Sequence, residues 1–226
     1  MNRHGERQVA ALQSIEDPIN AYIVQHIDPE DDYLYRLYRA TNIHTIHGRM
    51  ASGHIQGRLL KMLVTMIRPR NILEVGTFSG YSALCMAEGL DDDGKLYTFE
   101  INDEMEDFIH HSLALSPFGD RVVVHIGDAL EVMQELLSQH PFDLVYIDAN
   151  KRDYSSYYQL LIPALPSQAL ILADNTLWDG KVLQSPPPRD AQTQGILDFN
   201  DLVAGDLRVE VVMLPLRDGL TLIRKR

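Results

Sequence analysis

Oxygen-donor side chains and one amine follow two apolar segments in the second half of the chain. Asp148 closes "FDLVYID", and Lys151 stands three residues later. Asp174 and Asn175 close a second segment, "ALILADN". If the two segments are neighbouring parallel strands, about 4.8 Å apart, their ends bring the two carboxylates together. Carboxylates that close repel each other, and the pKa of one of them rises.

A divalent cation would remove this repulsion. Two carboxylates and an amide oxygen are a ligand set for Mg²⁺, Mn²⁺ or Ca²⁺ rather than for zinc. Taken alone, the Asp-Asn pair is ordinary turn chemistry, in which Asp174 caps a turn and Asn175 adopts a left-handed conformation. Its combination with Asp148 and Lys151 favours the cation site.

A glycine-containing turn is predicted earlier in the chain, where "LEVGTFSGYSAL" places Gly76 and Gly80 between a strand and a helix. Glycine there lets the chain turn tightly and lets a ligand approach the backbone. The spacing G-x-x-x-G differs from the dinucleotide fingerprint G-x-G-x-x-G, so no pyrophosphate cradle is expected. Glu74 adds a negative charge that suits a cationic or ammonium-bearing ligand. An ordinary turn is the alternative.

Two more acidic residues follow the next two strands. Glu100 ends "KLYTFE", where a carboxylate can accept both hydroxyls of a ribose, or can simply be solvated. Asp128 in "IGDAL" could accept from an adenine amino group or cap the next helix. The sequence leaves both alternatives open for Asp128.

Strand and helix patterns alternate from residue 71 onward, and they must position these residues. Such alternation predicts a parallel sheet with helices on both faces. The last two strands are separated only by "RDG". A parallel crossover needs a dozen residues or more, so these two strands must form an antiparallel hairpin. We therefore predict an α/β, Rossmann-like, seven-stranded sheet of five parallel strands and a C-terminal antiparallel hairpin.

Length and composition limit the class of protein. We expect the 226 residues to form one domain, residues 1–226, in which residues 1–50 are an N-terminal helical extension. The single Cys85 excludes an internal disulfide framework. No apolar run reaches the ~20 residues that span a bilayer, and the first residues lack the apolar core of a signal peptide. We expect a cytoplasmic protein without a membrane partner. The net charge of −12 disfavours nucleic acid as a partner.

Four segments together resemble the cation-dependent O-methyltransferases of the caffeoyl-CoA and catechol type. They are "ILEVGTFSGYSAL", "YIDANKRDYSSYY", "LADNTLWDGKV" and "RDGLTLIRK". The resemblance extends from about Met50 to the C-terminus. It implies a class I methyltransferase fold, S-adenosylmethionine as methyl donor, and a divalent cation, usually Mg²⁺, with Mn²⁺ or Ca²⁺ as alternatives. It also implies a catechol-like or caffeoyl-CoA-like small molecule as acceptor, and a homodimer.

The resemblance also assigns roles to individual residues. Those implied for donor binding are Met50, Glu74, Gly76, Phe78, Ser82, Glu100, Asp128 and Asp148. Within that set, Glu100 would hold the ribose, Asp128 the adenine, and Met50 would pack near the sulfonium methyl. The implied cation ligands are Asp148, Asp174 and Asn175, with Lys151 as catalytic base and Trp178 at the acceptor. One departure is Asn150, where caffeoyl-CoA members often have Asp, which removes a negative charge beside the cation.

The chemistry of such a site is consistent with its residues. A catechol hydroxyl is a poor nucleophile while protonated, and chelation to a divalent cation lowers its pKa. The same cation disfavours the ammonium form of Lys151, which can then accept the proton. The phenolate would attack the sulfonium methyl in line, and positioning of the two reactants supplies much of the acceleration.

Three other classes use a similar sheet or the same donor. An NAD-dependent oxidoreductase is disfavoured by the glycine spacing and by the final hairpin. A nucleic-acid or amine N-methyltransferase would usually carry [ND]-P-P-[YF] after the fourth strand, where this chain has "DANK". A non-catalytic S-adenosylmethionine-binding protein would have no need of one combined set of residues: Asp148, Lys151, Asp174 and Asn175.

Overall fold

The computed structural model describes residues 18–45 and 48–226. Among these residues, three helices precede the sheet: α1 (Pro18–Gln25), α2 (Asp32–His44) and α3 (Gly53–Ile67). A short 3₁₀ turn, Gly48–Met50, leads into α3. The first four residues of the predicted helical segment "SIEDPINAYIVQHI" lie outside the described residues.

From residue 71 onward, strands and helices alternate as predicted. The strands are β1 (Asn71–Val75), β2 (Lys95–Glu100), β3 (Val122–Ile126), β4 (Leu144–Ile147), β5 (Leu170–Asp174), β6 (Val209–Leu214) and β7 (Leu220–Lys225). The helices are α4 (Tyr81–Gly89), α5 (Glu106–Ala114), α6 (Ala129–Gln139), α7 (Tyr154–Ala164) and α8 (Ala191–Ala204). Across residues 18–45 and 48–226, no helix combines the length and the apolarity needed to cross a membrane.

The seven strands form one sheet in the order β3-β2-β1-β4-β5-β7-β6. Strands β1 to β5 are parallel to one another, whereas β7 runs antiparallel to both β5 and β6. The predicted fold class, including the C-terminal antiparallel hairpin, is confirmed. The strand order changes direction between β1 and β4, and ligands of such sheets bind beyond the carboxyl ends of the strands at this point.

The core lies on both faces of the sheet. Strands β1 and β4 are buried at every residue, as expected for parallel strands covered on both sides. Side chains alternate along β1, so that Leu73 packs with Met133 and Phe199 on one face, whereas Ile72 packs with Leu60 on the other. The sheet therefore lies between two helical layers, and its central strands β1 and β4 are buried up to their tips.

Candidate active site

The turn after β1 packs directly against the end of β4. Gly76 has φ +106°, and a Cβ placed on it would lie 2.1 Å from the carbonyl oxygen of Asp148. The amide of Gly76 donates to the carbonyl of Phe99 at 3.1 Å, which joins the same turn to β2. Glycine is required here because any side chain would occupy the space of the β4 backbone.

Glu100 lies against this turn. Its Oε2 accepts from the amide of Phe78 at 2.7 Å, and its Oε1 accepts from the amide of Asn102 at 2.9 Å. Phe78 has φ +49°, an uncommon conformation for a residue other than glycine, which this hydrogen bond helps to hold. Each carboxylate oxygen keeps a lone pair for a further donor, such as a hydroxyl group.

Glu74 is fully buried beneath the turn. Ser82 Oγ donates to its Oε1 and Thr98 Oγ1 donates to its Oε2, both at 2.6 Å. Burial raises the pKa of Glu74 to about 8, although the two hydrogen bonds lower it. Burial of the carboxyl group therefore favours its protonated form in the ligand-free protein. The packing of α4 on β1 removes the carboxyl group from water and so disfavours the negative charge expected at this turn, and the role of Glu74 in donor binding stays a prediction.

Replacement of Glu74 by Gln should flatten the pH dependence of stability. Folding raises the pKa of this carboxyl group, so it stabilises the folded state below about pH 4.5, and this contribution is lost as the pH rises through about 8. We expect the melting temperature of the ligand-free wild type to fall across that range, and to fall less in Glu74→Gln. Thermal unfolding from about pH 5 to about pH 9 measures both slopes, with the exposed Glu104→Gln as control. Parallel profiles for wild type and Glu74→Gln would contradict a raised pKa.

Asp128 caps helix α6. The amide of Leu130 donates to its Oδ1 at 2.9 Å, and its backbone is extended, as at most helix N-caps. The capping alternative is therefore realised in the structure. The residue also follows β3, the neighbour of β2, and the amide of Gly127 donates to the carbonyl of Glu100 at 2.8 Å. The second role, acceptance from an adenine, stays a prediction.

Lys151 connects the tips of β4 and β5. Its Nζ donates to Asp148 Oδ1 at 2.9 Å and to the hydroxyl of Tyr154 at 2.7 Å, and the side chain is almost fully buried. The Tyr154 hydroxyl lies 3.0 Å from the carbonyl oxygen of Asp174 and 3.2 Å from that of Ile147, so it can donate to either. The sequence analysis did not identify Tyr154 as a residue of the site, and the role of its hydroxyl was missed.

Asp174 is buried among hydrogen-bond donors at the end of β5. Its Oδ2 accepts from Gln56 Nε2 at 2.6 Å and from the hydroxyl of Tyr146 at 2.8 Å, while its Oδ1 accepts from the amide of Asn175 at 2.8 Å. Burial, and after it the charge of Asp148, raise the pKa of Asp174 to about 6. The repulsion expected between two carboxylates at neighbouring strand tips is therefore present.

The donor set at the strand tips fits a divalent cation. Asn175 has φ +58°, so it also adopts the left-handed conformation of the turn alternative. Two mutually repelling carboxylates and an adjacent carboxamide supply hard oxygen donors and an excess of negative charge, which suits Mg²⁺ or Mn²⁺. Among residues 18–45 and 48–226, no group of three or more His, Cys, Asp and Glu side chains could hold a metal ion. The predicted ligand set has two carboxylates and takes its third oxygen from the amide of Asn175.

Gln56 and Arg217 reach the site from distant parts of the chain and were missed by sequence reasoning. Gln56 lies on α3 and is 1% exposed, and Arg217 lies in the β6–β7 turn. A signal for Gln56 was present in the sequence. It precedes Leu60 and Val64 at four-residue intervals, so a polar side chain stands on the apolar face of an amphipathic helix.

The remaining predicted residues surround the tips of β4 and β5. Trp178 is half-buried, and its Nε1 donates to Thr193 Oγ1 at 3.1 Å. Asn150 donates from Nδ2 to Asp153 Oδ2 at 2.6 Å and accepts from Gln192 Nε2 at 2.9 Å. An Asp at position 150 would repel Asp153, so the carboxamide suits this chain.

Met50, which is 58% exposed, is the most exposed of the eight residues implied for binding of the methyl donor. It ends the 3₁₀ turn that leads into α3. Ser82 lies in the first turn of α4, where it is occupied by its hydrogen bond to Glu74.

A family model described as O-methyltransferase matches residues 24–226. The chain is 34% identical over 187 residues to caffeoyl-CoA O-methyltransferase 1 of Eucalyptus globulus. The aligned residues cover 78% of this chain and 75% of the relative. Among solved structures, the O-methyltransferase TomG of Streptomyces achromogenes, involved in tomaymycin synthesis and bound to S-adenosylmethionine, superposes with a TM-score of 0.85. It is 29% identical, over 94% of this chain and 98% of that chain. An O-methyltransferase of Bacillus cereus in complex with SAH superposes with a TM-score of 0.84 at 26% identity. The superposition covers 94% of this chain and 99% of that chain.

The sheet and the relatives of the chain define a class I, S-adenosylmethionine-dependent methyltransferase. The chain belongs to the O-methyltransferase family of the caffeoyl-CoA and catechol type. The predicted reaction, S-adenosylmethionine-dependent O-methylation, is confirmed at this level.

Proposed function

We propose that this enzyme transfers a methyl group to one of two vicinal hydroxyls of a catechol-like small molecule bound to a divalent cation. Asp148, Asp174 and Asn175 would hold the cation at the tips of β4 and β5. The observation that carries the proposal is the position of Asp148 and Asp174 at the tips of the adjacent parallel strands β4 and β5, where burial, and after it the charge of Asp148, raise the pKa of the Asp174 carboxyl group. A dication compensates two adjacent carboxylates, and a turn cap does not require them.

The donor would occupy the groove formed by the turns after β1 and β2. Glu100 is held against the turn after β1 by backbone amides, so its free lone pairs can accept both hydroxyls of a ribose. The turn at Gly76 touches the backbone of Asp148, so the donor groove and the strand-tip carboxylates are neighbours. This proximity is what methyl transfer between two bound molecules requires.

The protein's own groups would handle the proton of the acceptor. When bound, the cation supplies Lewis acidity, which lowers the pKa of a chelated hydroxyl. Lys151 Nζ lies 2.9 Å from Asp148 and is held by the Tyr154 hydroxyl, so it is placed to accept that proton. Burial of Lys151 and Asp174 excludes water from the same region.

Lys151→Ala should lower kcat by about a hundredfold or more, the usual contribution of a general base. Its affinity for S-adenosylmethionine should stay close to that of the wild type, because Nζ contacts Asp148 and Tyr154 rather than the donor groove. Steady-state kinetics and isothermal titration with the donor measure the two quantities. Lys95→Ala, at the start of β2, is the control. A Lys151→Ala enzyme with unchanged kcat would remove the proposed base.

The acceptor class is tested by a screen with S-adenosylmethionine and Mg²⁺. Free catechols and caffeoyl-CoA are the two arms, because the Eucalyptus relative is named for the thioester. We expect methylation of at least one vicinal diol and none of the corresponding monophenols. Binding of the donor without turnover of any diol would instead favour the non-catalytic alternative.

Three further expectations stay predictions: one domain over residues 1–226, a homodimer, and a cytoplasmic location. Light scattering coupled to size exclusion distinguishes a dimer from a monomer of 25.7 kDa. The alternative of an NAD-dependent oxidoreductase loses its support, because the chain belongs to an O-methyltransferase family.

A further inference from the structure

Gln56 forms a polar contact between helix α3 and the proposed cation site. It is 1% exposed, and its Nε2 lies 2.6 Å from Asp174 Oδ2 and 2.8 Å from the hydroxyl of Tyr146. The amide carries two N–H groups, so it can satisfy both acceptors at once. A buried glutamine that donates both N–H groups to Asp174 and Tyr146 restricts the positions of these two side chains.

The orientation of this amide is set by Arg217 on its opposite side. Arg217 Nη1 donates to Gln56 Oε1 at 3.3 Å and also to the carbonyl of Ser52, and Nη2 donates to the carbonyl of Ala51 at 3.3 Å. A flipped amide would place its NH₂ group against the guanidinium and its oxygen against the Asp174 carboxylate. Both contacts would be repulsive, so only one orientation is stable.

Arg217 holds this position in an unfavourable backbone conformation. Its φ is +49°, in the left-handed region where a residue other than glycine is strained. The side chain spans from the β6–β7 turn to the start of α3, and its three hydrogen bonds compensate the strain. Residues far apart in the chain thus converge on the orientation of one amide.

The hydrogen bonds leave Asp174 with one lone pair for a cation. A carboxylate has about four acceptor sites, two on each oxygen. Gln56 and Tyr146 use both sites of Oδ2, and the amide of Asn175 uses one site of Oδ1. Only Oδ1 remains able to bind a further partner.

We propose that Gln56, oriented by Arg217, is a positioning residue that restricts Asp174 to cation binding through Oδ1 alone and so selects Mg²⁺ or Mn²⁺ over Ca²⁺. This inference rests on the cation site of the proposed function. Mg²⁺ prefers six ligands in near-ideal octahedral geometry, whereas Ca²⁺ takes six to eight oxygens and often a bidentate carboxylate. A carboxylate with one oxygen blocked suits the smaller cation.

The test is cation binding by the metal-free protein, without any turnover. Mn²⁺ affinity is measured by electron paramagnetic resonance of the free ion, and Ca²⁺ affinity by competition against bound Mn²⁺. Gln56→Met keeps the length of the side chain and removes its hydrogen bonds. We expect it to weaken Mn²⁺ binding about tenfold or more, as other residues that orient metal ligands do. Ca²⁺ binding should weaken less, so the preference for Mn²⁺ over Ca²⁺ falls.

Arg217→Gly is the second variant, and it keeps the test decisive if Gln56→Met fails to fold. Glycine accepts φ +49° without strain, so this variant should stay folded while it loses the group that orients Gln56. We expect Arg217→Gly to lower the Mn²⁺ affinity and the preference for Mn²⁺ over Ca²⁺, by less than Gln56→Met does. Gln139→Met, an exposed glutamine on α6, is the matched control and should bind both cations as the wild type does.

Two results would overturn the inference, and they are distinguishable. If the wild type binds Mn²⁺ and the folded variants show the same affinity and the same preference over Ca²⁺, Gln56 does not position the ligand. If the wild type itself binds no Mn²⁺, the cation site of the proposed function fails and this inference fails with it. A cooperative thermal unfolding transition is required of each variant as evidence that it is folded.

Discussion

Asp174→Ala is expected to lower kcat by about a hundredfold or more, because loss of the cation removes several kcal/mol of charge stabilisation from the transition state. The residue stands at the tip of β5, is 2% exposed, and interacts electrostatically with Asp148. Formation of S-adenosylhomocysteine from a catechol acceptor at saturating donor measures the effect. Treatment of the wild type with EDTA should cause the same loss, and added Mg²⁺ should restore activity.

The control for this prediction is Asp93→Ala, which removes an exposed carboxylate from the turn before β2. It should leave kcat unchanged. Isothermal titration of Asp174→Ala with S-adenosylmethionine should give an affinity within a few fold of the wild type, because the donor groove lies at the turns after β1 and β2. Full activity of the wild type in EDTA would contradict a role for the cation, whatever the variants show.

Gly76→Ala is expected to destabilise the protein by about 3 kcal/mol or more, or to prevent folding. The new Cβ would lie 2.1 Å from the carbonyl oxygen of Asp148 and 2.7 Å from its carbonyl carbon. Both atoms belong to the backbone at the end of β4, which cannot move without disturbing the sheet. The positive φ of Gly76 adds strain for any side chain. Chemical denaturation measures the free energy of unfolding.

Gly180→Ala separates the clash from the backbone strain. Gly180 also has a positive φ, +70°, but a Cβ there would meet no atom within 4 Å. We expect a cost of about 1 kcal/mol, the usual penalty for a left-handed residue with a side chain. Equal destabilisation by the two substitutions would mean that the close approach to Asp148 contributes nothing.

Much of the fold could be predicted from local patterns. The apolar runs of β1 and β4 and the short connection of five residues between β6 and β7 determine a parallel sheet with a terminal hairpin. Asp148 and Asp174 were predicted to approach each other for a physical reason, because parallel strands end at the same edge of a sheet. The structure places β4, which ends before Asp148, beside β5, which ends at Asp174.

The ionisation state of Glu74 could not be predicted, because it depends on packing rather than on sequence spacing. Burial between α4 and β2 raises the pKa of Glu74 to about 8, although the hydrogen bonds from Ser82 and Thr98 lower it. The interactions of Asp128 could be predicted in part. Its capping bond is local and was expected as one alternative, whereas an interaction with a ligand has no local signal.

The contacts that orient Asp174 are long-range in the chain. Gln56 and Arg217 are separated by 161 residues and meet only because α3 packs beside the β6–β7 turn. A glutamine on an apolar helix face is a detectable anomaly, but its partner cannot be deduced from spacing. Tyr154 was missed for a related reason, since a buried tyrosine satisfies the pattern of a core residue whatever its hydroxyl contacts.

The location of the cation is tested most directly by crystals grown with Mn²⁺ and S-adenosylhomocysteine. Data collected near the manganese absorption edge should show one strong anomalous peak, within about 2 Å of side-chain oxygens of Asp148, Asp174 and Asn175. A peak elsewhere, or none at the tips of β4 and β5 while the donor groove is occupied, would contradict a cation-bound acceptor.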